Sequence, residues 1–254
     1  MGIFLSGGNI GFFLGPLVAG LIVSTLGLPG SLLLLPIGVV TASVLLRIRV
    51  GDHQVARPTD HTQPANKRLL ALLATITAFR SIAIQSVVTF LPLYFVAKGD
   101  SLLIATSIAS LWLGIGVLGQ LGGGYLSDRV GRRSVIVVSL LTGGLCFYGF
   151  LNSSGLASVL LLALSGCLLY ASWSVIVVMS SEAAPANIGA VTGFMLGFSV
   201  GAGGFGALAF GGAADRLGLN VAFTLIIASA LAGGLMALLL PRQNSFKTSR
   251  TAGS

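Results

Sequence analysis

Eight times along this chain, a mostly apolar run longer than ~17 residues, the minimum for crossing the hydrocarbon core of a bilayer, passes with scarcely a charge. The runs fall at about 4–25, 30–49, 69–96, 102–126, 134–152, 156–180, 187–211 and 220–240. No other feature limits the fold so strongly. In hydrocarbon every backbone N–H and C=O must be satisfied inside the protein, which leaves helices and closed barrels. Barrel strands are short and alternate apolar with polar residues; these runs are long and continuous, so the sequence predicts an all-α integral membrane protein. Composition agrees. Hydrophobic residues make up 55% and charged residues 8% of the chain, with mean hydropathy +1.00. A soluble domain carries about 25% charged residues. The net charge of +8 does not indicate nucleic acid, because too few charges remain to build a polar binding face.

Pro29, Gly30, Pro185 and Gly218 punctuate several of the turns. The one substantial hydrophilic segment, 50–67, contains Pro58, Pro64 and both histidines, His53 and His61, and is predicted to be an irregular loop. The basic residues set the orientation. With eight spans both termini share one side, which then holds Arg47, Arg49, Arg57, Lys67, Arg68, Arg129, Arg132, Arg133, Arg242, Lys247 and Arg250, eleven of the fourteen Lys and Arg. Lys98 and Arg216 lie opposite, and Arg80 is intramembrane. Basic residues concentrate in cytoplasmic loops, so the long loop and both termini are expected in the cytoplasm. Cys146 and Cys167 sit within apolar runs and are expected as free, packed thiols. The N-terminus lacks the basic flank and short apolar region of a cleavable signal peptide.

An internal repeat links the first and seventh runs. Gly11-Phe-Phe-Leu-Gly15 and Gly193-Phe-Met-Leu-Gly197 match at four of five residues, 182 positions apart. Around them, Gly7, Gly11, Gly15 and Ala19 parallel Gly189, Gly193, Gly197 and Gly201. Small residues at every fourth position lie on one helix face and permit close approach of another backbone. They are therefore expected to form helix-packing motifs, although one such face alone is common in membrane helices. A paired copy is what parallel repeats about an axis along the membrane normal produce.

Between runs four and five lies Gly124-Tyr-Leu-Ser-Asp128-Arg129-Val-Gly131-Arg132-Arg133. Gly131 suits a tight reversal, Asp128 suits a nearby arginine or a helix N-terminus, and the arginines anchor the loop on the cytoplasmic side. A plain basic loop would explain the arginines but not the ordered string. The string resembles the cytoplasmic signature of the major facilitator superfamily, found between its second and third helices and again between its eighth and ninth. Gly11-x-x-x-Gly15-Pro16-x-x-Ala19-Gly20 resembles the family's fifth-helix antiporter motif, with Ala19 where glycine is common. Glu182-x-x-Pro185 resembles the acid at the cytoplasmic end of the tenth helix.

The resemblance implies a major facilitator helical bundle of about eight transmembrane helices, equivalent to helices five to twelve of twelve. Residues 1–49 would form the helix five–six hairpin of the N-terminal domain, 50–67 the central cytoplasmic loop, 68–241 the six-helix C-terminal domain and 242–254 a basic cytoplasmic tail. Gly124, Asp128, Arg129, Gly131, Arg132, Arg133 and Glu182 would gate the cytoplasmic side. The glycine-rich first and seventh runs look most like the fosmidomycin-resistance branch. That likeness implies proton-coupled export of a small molecule or drug across a bacterial-type inner membrane. Helices one to four, or another subunit, would be needed for transport.

Arg80 is the one charge deep in a span. It lies 11 residues past Leu69, about 17 Å along a helix and near the middle of a ~30 Å hydrocarbon core. An arginine there should face a cavity or a partner. It is expected to attract an anionic or polar substrate, the bland alternative being an arginine bonded to backbone carbonyls or a carboxylate. Gln85, Tyr170 and Trp173 are candidates for the same cavity; aromatics such as Trp173 also fill bundle interiors. The six carboxylates, Asp52, Asp60, Asp100, Asp128, Glu182 and Asp215, all lie in loops or at span ends. A proton-coupled transporter normally has a titrating group in the membrane, and the resemblance places such groups on helices one and four. No metal-ligand cluster, cofactor motif or nucleophile–base pair is visible. Rival readings are a non-transporting truncated membrane interaction protein and, less favoured, an integral-membrane enzyme.

Overall fold

The computed structural model describes residues 2–47 and 65–241, with side chains described from Leu14 onward and only in part between 33 and 47. The described residues form helices throughout: α1 (Gly2–Leu26), a 3-10 turn (Leu28–Leu33), α2 (Leu34–Arg47), α3 (Lys67–Ala97), α4 (Leu102–Val130), α5 (Arg132–Asn152), α6 (Gly155–Ala183), α7 (Ile188–Leu217) and α8 (Leu219–Ala237). Each expected run is thus recovered as a helix. Six of them, α3 to α8, are long and apolar enough to cross a membrane among the described residues. The second run differs from expectation. Instead of a continuous span over 30–49, Leu-Pro-Gly-Ser-Leu-Leu at Leu28–Leu33 winds as a 3-10 turn, leaving α2 at 14 residues. Pro29 has no backbone donor with which to continue the α1 ladder, and the Gly30 N–H bonds the Gly27 carbonyl three residues back at 3.0 Å. Helices elsewhere outrun the apolar stretches, so that Asp128 and Arg129 belong to the last turn of α4.

The core lies among α3, α4, α5, α6 and α8, where Leu73, Ile76, Leu91, Leu113, Ile136, Leu140, Leu169, Ile176 and Phe223 are almost fully buried. Outside, the bundle is just as apolar: Leu118, Leu121, Leu156, Phe205 and Leu208 are all more than 60% exposed. A surface of this kind is stable against lipid, not water. Because lipid tails are as apolar as the core, close fit and interhelical hydrogen bonds hold such helices together. α4 and α6 pack closest. A Cβ on Gly119 would lie 2.0 Å from the Cys167 carbonyl oxygen, and one on Gly123 would lie 2.2 Å from that of Ala171. Hydroxyls bridge other pairs: Ser229 donates to the Phe79 carbonyl at 2.7 Å, Ser174 to the Gln120 carbonyl at 2.9 Å, and Ser81 and Ser199 share a hydrogen bond at 2.6 Å.

The turn between α4 and α5 is a single residue, Gly131, at φ +98°. Few residues with a Cβ adopt that conformation, which accounts for a glycine between two helices.

The two glycine ladders divide. Gly20 on α1 is buried against α4, where a Cβ would meet Thr106. By contrast Gly15, Gly189, Gly193, Gly197 and Gly201 have nothing within 4 Å of a Cβ position. The glycines of α7 that do pack are Gly203 and Gly206, against Ser81 and Ile82 of α3. Within the described residues the repeated ladder is an open face rather than a contact. Gly11 belongs to the part of α1 whose side-chain surroundings lie outside the described residues. The expected segments 50–67 and 242–254 also lie outside them, apart from Ala65, Asn66 and Lys67.

Candidate functional site

Arg80 sits 13 residues from Lys67 and 17 from Ala97 in α3, near mid-helix, and is only 4% exposed. The helices meeting around it explain how a buried charge is held. Its Nε donates to the Leu169 carbonyl at 3.2 Å and to Ser172 Oγ at 3.0 Å, both on α6. Its guanidinium carbon stands 5.6 Å from the Tyr170 ring centroid and 5.0 Å from that of Trp173. One turn of α6, Leu169 to Trp173, therefore supplies a carbonyl, a hydroxyl and two aromatic faces. Sequence reasoning singled out Tyr170 and Trp173, and the structure brings both to Arg80. Ser172 stands out in the sequence only as part of the polar and aromatic stretch around Trp173; its pairing with Arg80, and that of the Leu169 carbonyl, appear once α3 is placed beside α6.

Among the described residues no carboxylate pairs with Arg80, and neither Nη atom has a hydrogen-bond partner. A guanidinium anchored through Nε and flanked by π faces keeps its charge and its two outer edges. That arrangement suits an oxyanion approaching the Nη groups.

Gln85 is not among Arg80's contacts. Five residues turn a helix by about 500°, or 140° beyond a full circle, and the Gln85 Cβ lies on the side of α3 that meets Gly203 of α7.

At the C-terminal end of α6, two signature elements converge. Arg132, at the start of α5, forms an ion pair with Glu182 in the last turn of α6. Nearby, the Asn66 backbone N–H donates to the Ala183 carbonyl at 2.9 Å, and the Asn66 side chain caps α3 by accepting from Leu69 N–H at 3.1 Å. The guanidinium of Arg129 packs over the Tyr125 ring at 4.5 Å, while Asp128 is exposed on the final turn of α4. Gly124 lies beside Ser174 of α6, and Arg133 is half-buried. Pro16 is inside α1, which continues unbroken to Leu26.

These features define a class: a polytopic helical-bundle membrane protein with a buried arginine near the middle of a membrane-length helix. The chain belongs to the Major Facilitator Superfamily, whose family model matches it over residues 1–129 and again over 73–253. This membership places it among membrane transporters rather than enzymes. It is similar to the fosmidomycin resistance protein of Escherichia coli (strain K12), 28% identical over 256 residues that cover 94% of this chain and 61% of that protein. It is also similar to two uncharacterized MFS-type transporters of Bacillus subtilis (strain 168). YfnC is 36% identical over 148 residues, 56% of this chain and 35% of the relative. YqjV is 33% identical over 81 residues, 32% of this chain and 20% of the relative. The chain thus spans at most 61% of the length of these curated relatives.

Proposed function

We propose that this chain is part of a secondary active exporter that moves a small oxyanion across a bacterial inner membrane by alternating access, driven by proton exchange. The observation that carries the reading is Arg80, anchored to α6 through Nε with both Nη atoms unengaged by described residues. Insertion of an arginine at mid-membrane costs about 2.5–3.5 kcal/mol. A purely structural strut would gain more from a carboxylate partner than from two π faces. The similar Escherichia coli protein is named for fosmidomycin resistance, and fosmidomycin, a phosphonate, presents the charge and shape that a guanidinium edge binds. The loop and both termini face the cytoplasm in this reading, with α3 to α8 as one bundle. The Arg132–Glu182 pair and Asp128 form a cytoplasmic gate. Asp128 falls at the same end of the bundle as the start of α1 in this reading, because Gly20 packs on Thr106 and successive spans reverse direction, which sets α1 and α4 antiparallel.

The test is fosmidomycin binding by the complete transporter in membrane vesicles. Replacing Arg80 by Gln removes a charge-assisted hydrogen bond and should weaken binding by about 10- to 100-fold, with membrane insertion unchanged. Equal affinity in the variant and the parent would reduce Arg80 to a structural residue.

A further inference from the structure

Every contact of Arg80 with α6 comes from the Leu169–Trp173 turn, and α4 braces that turn from behind. Trp112 of α4, 1% exposed, meets Tyr170 edge-on with ring centroids 5.7 Å apart and planes at 75°. Its indole Nε1–H donates to Ser165 Oγ at 3.1 Å, so the ring cannot turn without stranding a buried donor. One helical turn along α4, Gly116 provides the space in which Tyr170 lies. A Cβ there would fall 2.6 Å from Tyr170 Cδ2 and 3.0 Å from Cε2. The Tyr170 ring is thereby set between α4 on one side and the guanidinium of Arg80 on the other. Neither Trp112 nor Gly116 is a contact of Arg80.

We propose that Trp112 and Gly116 are positioning residues of the Arg80 site: they fix the plane of Tyr170 and through it the strength with which Arg80 holds an oxyanion. The proposal rests on the reading of Arg80 as a substrate-binding cation. A π face restrains a guanidinium without neutralising it. A carboxylate would also restrain the group, but would compete with the substrate. With its plane fixed in advance, Arg80 loses little freedom when an oxyanion takes both Nη groups. A displaced Tyr170 leaves the charge in place and releases the orientation, so binding weakens while Arg80 itself is intact.

The experiment titrates the complete transporter in detergent with propylphosphonate, reading calorimetry for all variants. Gly116→Ala should weaken binding about tenfold, the scale of one desolvated cation–π contact. Trp112→Phe, which keeps an aromatic ring but removes the donor and part of the bulk that braces Tyr170, should weaken it in the same direction. In a Tyr170→Ala background, Gly116→Ala should cause no further loss, because the ring it displaces is gone. If Gly116→Ala and Trp112→Phe bind as the parent does while Arg80→Gln does not bind, the positioning role is wrong and the Arg80 site stands. An equal loss from Gly116→Ala with and without the Tyr170 ring also overturns it, since the effect then bypasses Tyr170. Parent-like binding by Arg80→Gln, or no saturable binding by the parent, defeats the underlying site reading instead. Should Gly116→Ala fail to fold, the Trp112→Phe titration decides alone.

Discussion

At the scale of single residues, burial and backbone geometry separate the positions that matter from those that only look distinctive. Arg80 shows how a charge within a span is held: its Nε hydrogen-bonds to α6 and its plane is flanked by rings, with no carboxylate partner among the described residues. The Arg132–Glu182 pair is different in kind. Both side chains are partly exposed, at 20% and 48%, and such pairs contribute about 0–1 kcal/mol to stability. Gly131 is the residue whose replacement has the plainest cost. At φ +98° and ψ 139°, an alanine would sit in a region reserved almost entirely for glycine, at about 1–3 kcal/mol. Gly131→Ala should therefore lower the thermal midpoint in detergent. An unchanged midpoint would mean that the α4–α5 turn has another backbone solution.

At the scale of elements, α4 is the organising helix. Its glycines at 116, 119 and 123 bring it against the α6 backbone, and that approach holds the Leu169–Trp173 turn where Arg80 can reach it. Gly122, one residue from this stripe, has nothing within 4 Å of its Cβ position. The two glycines make a controlled pair. Gly119→Ala would drive a methyl into the Cys167 carbonyl and should destabilise the bundle by about 1–3 kcal/mol. Gly122→Ala should be neutral or stabilising by up to about 1 kcal/mol, since alanine is the better helix former. Unfolding midpoints of the two proteins in the same detergent check this. Equal losses would show that the close α4–α6 contact does not depend on the stripe. On α7 the same residue type divides between packed positions, Gly203 and Gly206, and the open ladder from Gly189 to Gly201. Small size permits close approach but does not select which face receives a neighbour.

At the scale of the whole molecule, the apolar exterior, the charge bias and the family agree on a polytopic transporter fold. The bias of basic residues toward one side predicts the topology. Single cysteines introduced at positions within 50–67 and 243–254, in a background lacking Cys146 and Cys167, should react with an impermeant maleimide only after the cells are opened. Reaction in intact cells at either segment would reverse the orientation, and with it the cytoplasmic assignment of the Asp128 loop.

The sequence alone determined the class of fold, because hydrocarbon leaves a chain of long, charge-poor runs no option but helices. It also located the helices to within a few residues, and it marked Arg80, Tyr170 and Trp173, since a mid-span charge and a polar, aromatic stretch within another span are each visible along one dimension. Pro29 and Gly30 marked a turn, but helix period and composition did not reveal that it winds as a 3-10 segment to Leu33 and leaves α2 at 14 residues. They also left undecided which glycines pack, because every glycine in a repeat looks alike until neighbours are placed. Only the tertiary structure set Gln85 apart from Arg80 and brought Ser172, the Leu169 carbonyl and the Trp112–Ser165 brace into its surroundings. The reason is physical: these contacts join residues about 50 to 90 positions apart on helices whose rotation about their own axes is fixed by packing, and no local pattern encodes that rotation.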